Sequence, residues 1–188
     1  MSPRSIPNKA IFLDRDGTLI SDPGYLNDPE LVSFCPGVVD GLKRLAQAGY
    51  LLIVVTNQSG IPRGLVQEEN VLRIHQRIQD ELMDHQIQIT EFIYSPHLPE
   101  SDHPWRKPNA GMLLYAIEKY KIAPEKSWMI GDRDSDVIAG QRAQVATVRI
   151  QSLDPSPSQL DPPPHYTAPS FSTAVECILA HESGSEGG

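Results

Sequence analysis

Cysteine is nearly missing from this sequence. The two present, Cys35 and Cys177, lie far apart and show no Cys-x-x-Cys spacing, which excludes a disulfide framework and a thiolate metal cage and suits a reducing cytoplasm. Long hydrophobic runs are missing too: no stretch approaches the ~18 apolar residues of a membrane span. The segment Met1–Lys9 has no apolar core of a signal peptide, and the first apolar stretch runs straight into Asp14 instead of a small-residue cleavage site. A cytoplasmic protein without a membrane partner is expected. Positive charge is in deficit, with 16 Lys+Arg against 24 Asp+Glu and a net charge of −8. Long-range electrostatics therefore repel nucleic acid, and an anionic substrate must be met by local cations or a metal.

What is present is a regular alternation. The 188 residues suit one domain with a real core, expected over 1–188 with a core of about 10–181 and a frayed tail at 182–188. Short apolar or β-branched runs at Ala10–Leu13, Leu51–Val55, Phe92–Tyr94, Trp128–Ile130 and Ala146–Ile150 predict five strands buried on both faces. Helical spacing lies between them. Val38–Ala48 places Val38, Leu42 and Leu45 on one stripe before Gly49, and Glu68–His85 does the same with Val71, Ile74, Ile78 and Leu82. Further helices are expected at Ala110–Tyr120, Val137–Ala143 and Phe171–Ala180. The proline-rich stretch Asp154–Pro169 reads as a surface loop. Strands alternating with helices in this way make an α/β domain: a doubly wound parallel sheet with right-handed crossovers.

In such a sheet, groups at the carboxyl ends of the strands converge on one crevice. The first strand ends in Asp14-Arg15-Asp16-Gly17-Thr18, the second in Thr56-Asn57-Gln58-Ser59-Gly60, and the fourth in Gly131-Asp132-Arg133-Asp134-Ser135-Asp136. Each string alone is an ordinary polar turn. Together they gather Asp14, Asp16 and Asp132, oxygens that suit a hard cation such as Mg²⁺ and would repel one another without it. Thr56 and Asn57 add a hydroxyl, an amide and backbone N–H groups for phosphoryl oxygens, and Lys107 adds a cation. A carboxylate nucleophile, a second carboxylate as acid/base, Mg²⁺, a Thr and a Lys together describe phosphoryl transfer through an aspartyl-phosphate.

These strings resemble the four motifs of the haloacid dehalogenase (HAD) superfamily of Mg²⁺-dependent phosphohydrolases, at Asp14–Thr18, Thr56-Asn57, Lys107 and Gly131-Asp132 with Asp136. The longer strings Ile11–Thr18, Val54–Ile61, Arg63-Gly64 and Arg106-Lys107-Pro108 with Gly111–Leu113 are similar to heptose 1,7-bisphosphate 7-phosphatases and the related histidinol-phosphate phosphatase domains. The resemblance covers about Ala10 to Ile150 and implies a fold with a minimal cap. It implies that Asp14 attacks phosphorus, that Asp16 protonates the leaving alkoxide and then activates water, and that Thr56 and Lys107 stabilise the transferring group. Asp14, the Asp16 main-chain carbonyl and Asp132 would hold Mg²⁺. Asp136, at the start of a helix, reads equally as a dipole carboxylate or as a group orienting Lys107. Substrate contacts are expected from the flap Asp22-Pro23-Gly24-Tyr25, from Thr56, Asn57, Gln58 and Ser59, and from Lys107 with Arg106, a second cation suited to a second anionic group. The implied partner is a small-molecule sugar phosphate bound by a monomer.

The sequence departs from the heptose bisphosphate phosphatases it resembles where these often carry a zinc loop just before Arg-Lys-Pro. The matching positions are Ser95, His97, His103 and Trp105, so zinc is not expected, although Asp102 could add a third ligand to the two imidazoles. His75, His85, His165 and His181 show no ligand or catalytic pattern. Two other classes share parts of the constellation. A phospho-accepting receiver domain would carry its Asp on a later strand, and a sugar-phosphate binding module has no need of both Asp14 and Asp16.

Overall fold

The structure, a computed structural model, describes residues 7–151 and 160–185. Six strands form one parallel sheet: β1 (Lys9–Leu13), β2 (Tyr50–Asn57), β3 (Glu91–Ser95), β4 (Trp128–Gly131), β5 (Ala146–Ile150) and β6 (Tyr166–Ala168), in the order β3-β2-β1-β4-β5-β6. Among the described residues four α-helices connect β1 to β5 in turn, α1 (Val38–Gln47), α2 (Glu68–Met83), α3 (Gly111–Tyr120) and α4 (Asp134–Arg142), and α5 (Phe171–Ser185) follows β6. Alternation along each strand divides the core. Ile11, Leu13, Leu52, Val54 and Ile130 pack with Leu42 and Leu45 of α1, Ile74 and Ile78 of α2, and Val175 and Ile178 of α5. Ala10, Phe12, Ile53, Val55 and Met129 face the other way, onto Met112, Leu113 and Ala116 of α3 and Ala139 of α4. Every one of these side chains is 1% exposed or less, the apolar burial that holds both helix layers to the sheet.

Strand order reverses at β1: the chain moves outward through β2 and β3, then returns to pair β4 with the opposite side of β1. This is the switch point at which a doubly wound sheet opens a crevice. Leu13, Asn57 and Gly131 end their strands there, so the residues that follow them face one another.

Three expectations need correction. The proline-rich loop ends in a strand: Tyr166–Ala168 pairs with Val148–Ile150, at a sheet edge where prolines nearby are tolerated. Helix α4 starts at Asp134 rather than Val137, because Asp136 Oδ2 accepts from the N-cap Arg133 N–H at 3.0 Å and so satisfies a main-chain donor at the helix start. Helix α5 runs to Ser185 instead of fraying at 182, with His181 packed on Trp128 at 5.1 Å and Glu182 ion-paired to Lys9. Residues 154–159 of the expected loop and 186–188 of the expected tail lie outside the described residues. Among the described residues no helix is long and apolar enough to cross a membrane.

Candidate active site

A cleft of about 500 Å³ opens at the switch point. Asp14 and Asp16 follow β1, Thr56 and Asn57 end β2, Gln58 and Ser59 follow it, and Asp136 rises from the first turn of α4; all of them line the cleft with Lys107 and Arg106. From the flap it is lined by Asp22, Gly24 and Tyr25 but not Pro23, and Asp132 lies beneath its surface, 8% exposed. The turn after β1 is tight. Gly17 has φ +77°, and a Cβ there would stand 2.6 Å from Asp132 Oδ2, so glycine lets the two loops meet. A Cβ on Gly131 would stand 2.3 Å from the Asp136 carboxyl carbon, for the same reason.

Lys107 organises the floor. Its ammonium is buried and lies 2.7 Å from Asp14 Oδ1, 2.8 Å from the Val55 carbonyl and 2.6 Å from Asp136 Oδ1. Burial works against the charge, yet Asp136 and Asp14 outweigh it and raise the Lys107 pKa. The main chain of Lys107 is clamped as well: Asn57 Nδ2 donates to its carbonyl at 2.9 Å and its N–H donates to Asn57 Oδ1 at 3.0 Å. The Asn57 side chain thus positions the lysine. Gln58 is also turned inward, donating to Asp16 Oδ2 and Thr56 Oγ1, each at 2.9 Å. Since Thr56 Oγ1 accepts that bond, its own proton remains available to a ligand.

Asp14, Asp132 and Asp136 bring one carboxylate oxygen each within 4.8 Å of the others. Asp132 Oδ1 is buried without a hydrogen-bond partner among the described residues. Burial, with Asp14 and Asp136 nearby, pushes the Asp132 carboxyl up to about 7. An orphaned hard oxygen among mutually repelling carboxylates fits a divalent cation, and the donor set is that of Mg²⁺ or Ca²⁺ rather than zinc. The Asp16 side chain stands apart from this group, held by the Arg15 guanidinium at 3.0 Å and 2.9 Å. Burial raises the Asp16 pKa, against the pull of Arg15, which favours a carboxyl able to carry a proton.

Cations gather on the rim. Half-buried Arg106 donates to the His97 carbonyl at 2.8 Å, and its pKa is lowered by burial and by Arg63 and Arg133. Arg133 reaches Asp22 Oδ2 at 2.8 Å and Arg63 reaches the Tyr25 hydroxyl at 3.3 Å, so both touch the flap. Neither arginine is an expected site residue: Arg133 adjoins Asp132 and Arg63 precedes Gly64, and nothing in their spacing says that they turn toward the flap. His97 and His103 stack with centroids 3.4 Å apart; His97 Nδ1 meets Ser95 Oγ at 3.0 Å and His103 Nδ1 accepts from the Trp105 N–H at 3.2 Å. Asp102 Oδ1 accepts from Asn109 at 3.0 Å.

Comparison with known proteins adds a family. A family model described as HAD-hydrolase-like matches residues 104–174. The chain is 43% identical over 144 residues to the D-glycero-β-D-manno-heptose-1,7-bisphosphate 7-phosphatase of Haemophilus influenzae, covering 73% of this chain and 78% of that protein. It is 40% identical over 154 residues to the enzyme of the same name from Pasteurella multocida, covering 78% and 84%. Its fold is similar, with a TM-score of 0.84 and 26% identity, to that of D,D-heptose 1,7-bisphosphate phosphatase from B. bronchiseptica complexed with magnesium and phosphate, across 92% of this chain and 99% of that one.

Proposed function

The chain belongs to the HAD-like phosphatases, and from that premise we propose that it removes the 7-phosphate of D-glycero-D-manno-heptose 1,7-bisphosphate in a Mg²⁺-dependent reaction. One observation carries the reading: Asp14, Asp132 and Asp136 converge within 4.8 Å, with Lys107 between two of them, in the cleft that Asp16 and Thr56 line. Asp14 and Asp132, with the Asp16 carbonyl, would hold Mg²⁺, which neutralises charge on the phosphoryl oxygens when bound.

Asp14 attacks phosphorus through a carboxylate oxygen, and the bond from phosphorus to the sugar oxygen breaks. Asp16 delivers a proton to that oxygen. It then takes a proton from the water that hydrolyses the aspartyl-phosphate, which returns Asp14 to its free form. Lys107 and the Thr56 hydroxyl stabilise the transferring group, and Asp136 keeps Lys107 in register. The flap is too small to close over a substrate. Discrimination falls to the rim, where Arg106, backed by Arg63 and Arg133, suits the second phosphate of a bisphosphate.

Phosphate release from heptose 1,7-bisphosphate and from histidinol phosphate, by wild type and Asp14→Asn, tests this. Turnover of the bisphosphate that Asp14→Asn abolishes is expected. Preference for histidinol phosphate would move the assignment to the sister group, and comparable turnover by Asp14→Asn would remove the mechanism.

A further inference from the structure

The buried side of Asp16 holds an arrangement that the chemistry above does not use. Arg15 is 1% exposed and is among the largest fully buried side chains of the protein. It folds back on its own neighbour, Nε donating to Asp16 Oδ1 at 3.0 Å and a terminal nitrogen to Asp16 Oδ2 at 2.9 Å. Arg15 lies in the bend that follows β1, its carbonyl taken by the Leu19 and Ile20 N–H groups, and a side chain of this length has many rotamers there, so the fork needs outside support. His75 of α2 provides it. Its Nε2 lies 3.3 Å from the remaining terminal nitrogen of Arg15, and its ring stacks on Phe92 at 4.7 Å and 17°. A guanidinium can only donate, so Nε2 accepts and the ring carries its proton on Nδ1. Burial, and then Arg15, push the His75 pKa down to about 3, which keeps the ring neutral and able to accept.

We infer that His75 and Arg15 are positioning residues for Asp16: the imidazole fixes the rotation of the guanidinium, and the guanidinium fixes the plane of the carboxyl group. The geometry leaves Asp16 little freedom. A carboxylate offers about four acceptor sites; the fork takes one on each oxygen and Gln58 takes a second on Oδ2. Arg15 Nη2 also lies 2.9 Å from Oδ1, so both oxygens are held and the acid must act from the one orientation that Arg15 and Gln58 leave it. A buried arginine is an expensive way to hold a surface loop, and a natural way to hold a group that must act in one direction.

The inference rests on Asp16 as the acid, so the test separates the two. An alkyl sugar phosphate needs its leaving oxygen protonated, whereas p-nitrophenyl phosphate departs as a stable anion and does not. His75→Phe keeps the stack on Phe92 and removes the acceptor. It should lower kcat/KM for heptose 1,7-bisphosphate by about ten-fold and for p-nitrophenyl phosphate by less than about two-fold, and His75→Gln, which restores an acceptor, should recover most of the loss. If His75→Phe does not fold, Arg15→Lys, which keeps the charge and removes the fork, should show the same contrast. Asp16→Asn is the reference. Equal losses of kcat/KM, which covers only the steps through departure of the leaving group, on both substrates in Asp16→Asn would overturn Asp16 as the acid; a contrast there combined with equal or absent losses in the His75 and Arg15 variants would overturn only this inference.

Discussion

Asp136 Oδ1 lies 2.6 Å from Lys107 Nζ, while Oδ2 of the same carboxylate accepts the Arg133 N–H at 3.0 Å. One oxygen therefore meets the start of the helix and the other meets the lysine. The start of α4 and the position of the Lys107 ammonium are thus tied to one side chain, 1% exposed and joined to β4 by the close approach of Gly131. Burial and Asp14 raise the Asp136 pKa, and Lys107 opposes them.

Lys107→Met should therefore cost stability as well as turnover. Removing the cation leaves Asp14 and Asp136 buried without it, and breaking a buried pair by deleting one partner typically costs about 3–5 kcal/mol. Urea denaturation of the variant should show a loss of that order, and Mg²⁺ should recover part of it by standing in for the missing charge. A variant as stable as wild type in metal-free buffer would show that the pair contributes nothing to the fold.

Chelation should abolish phosphate release, and added Mg²⁺ should restore it. Because the cation binds the folded chain and relieves repulsion among Asp14, Asp132 and Asp136, the melting temperature should rise with it; saturation at 100 times Kd corresponds to about 2.7 kcal/mol. Asp132→Asn should weaken that thermal response, since Asp132 Oδ1 is the buried oxygen left without a partner. Full activity after exhaustive chelation would rule out the metal.

Arg106→Ala should lower kcat/KM for a bisphosphate by roughly 1.5–3 kcal/mol, the usual worth of a charge-assisted hydrogen bond. A sugar monophosphate should change far less. Arg133 lines the same cleft and Arg63 holds the hydroxyl of Tyr25, which lines it too, so a partial effect in Arg63→Ala is expected. Equal losses on both substrates would place Arg106 at the reacting phosphoryl group or in the fold.

The sheet was legible because parallel strands buried on both faces leave continuous apolar runs, such as Ile11–Leu13 and Leu52–Val55, and because acidic and hydroxyl residues stop those runs at one end. β6 was hidden by its composition: Tyr166-Thr167-Ala168 is too short to show alternation, and it pairs only at the edge, with β5. The carboxylates and Lys107 could be read because their chemistry requires those residue types. The inward turn of Asn57 and Gln58 could not, since an amide beside a phosphate site looks the same whether it faces ligand or protein. His75 was the clearest loss. On α2 it falls on the buried stripe with Val71, Ile74, Ile78 and Leu82, and only the sheet order, which brings β3 alongside β2, gives that histidine Phe92 to stack on and Arg15 to meet.

That burial makes His75 a sensor of acid instability independent of any activity. In the unfolded chain the imidazole titrates near 6.5, and in the folded protein its pKa is depressed to about 3, by burial and then by Arg15. Above pH 6.5 both states carry a neutral ring and the residue makes stability independent of pH. As the pH falls below that value the unfolded chain takes up a proton that the folded one refuses, so stability drops until the folded pKa is reached. Between pH 6.5 and about pH 5 the loss from this group alone should be about 2 kcal/mol, at 1.36 kcal/mol per pH unit. His75→Gln has nothing to titrate there and should flatten that part of the profile while the remaining pH dependence stays. Urea midpoints of both proteins at neutral pH and near pH 5 measure the difference; parallel profiles would mean that His75 takes up its proton in the folded state too, and that the ring does not act as a neutral acceptor for Arg15.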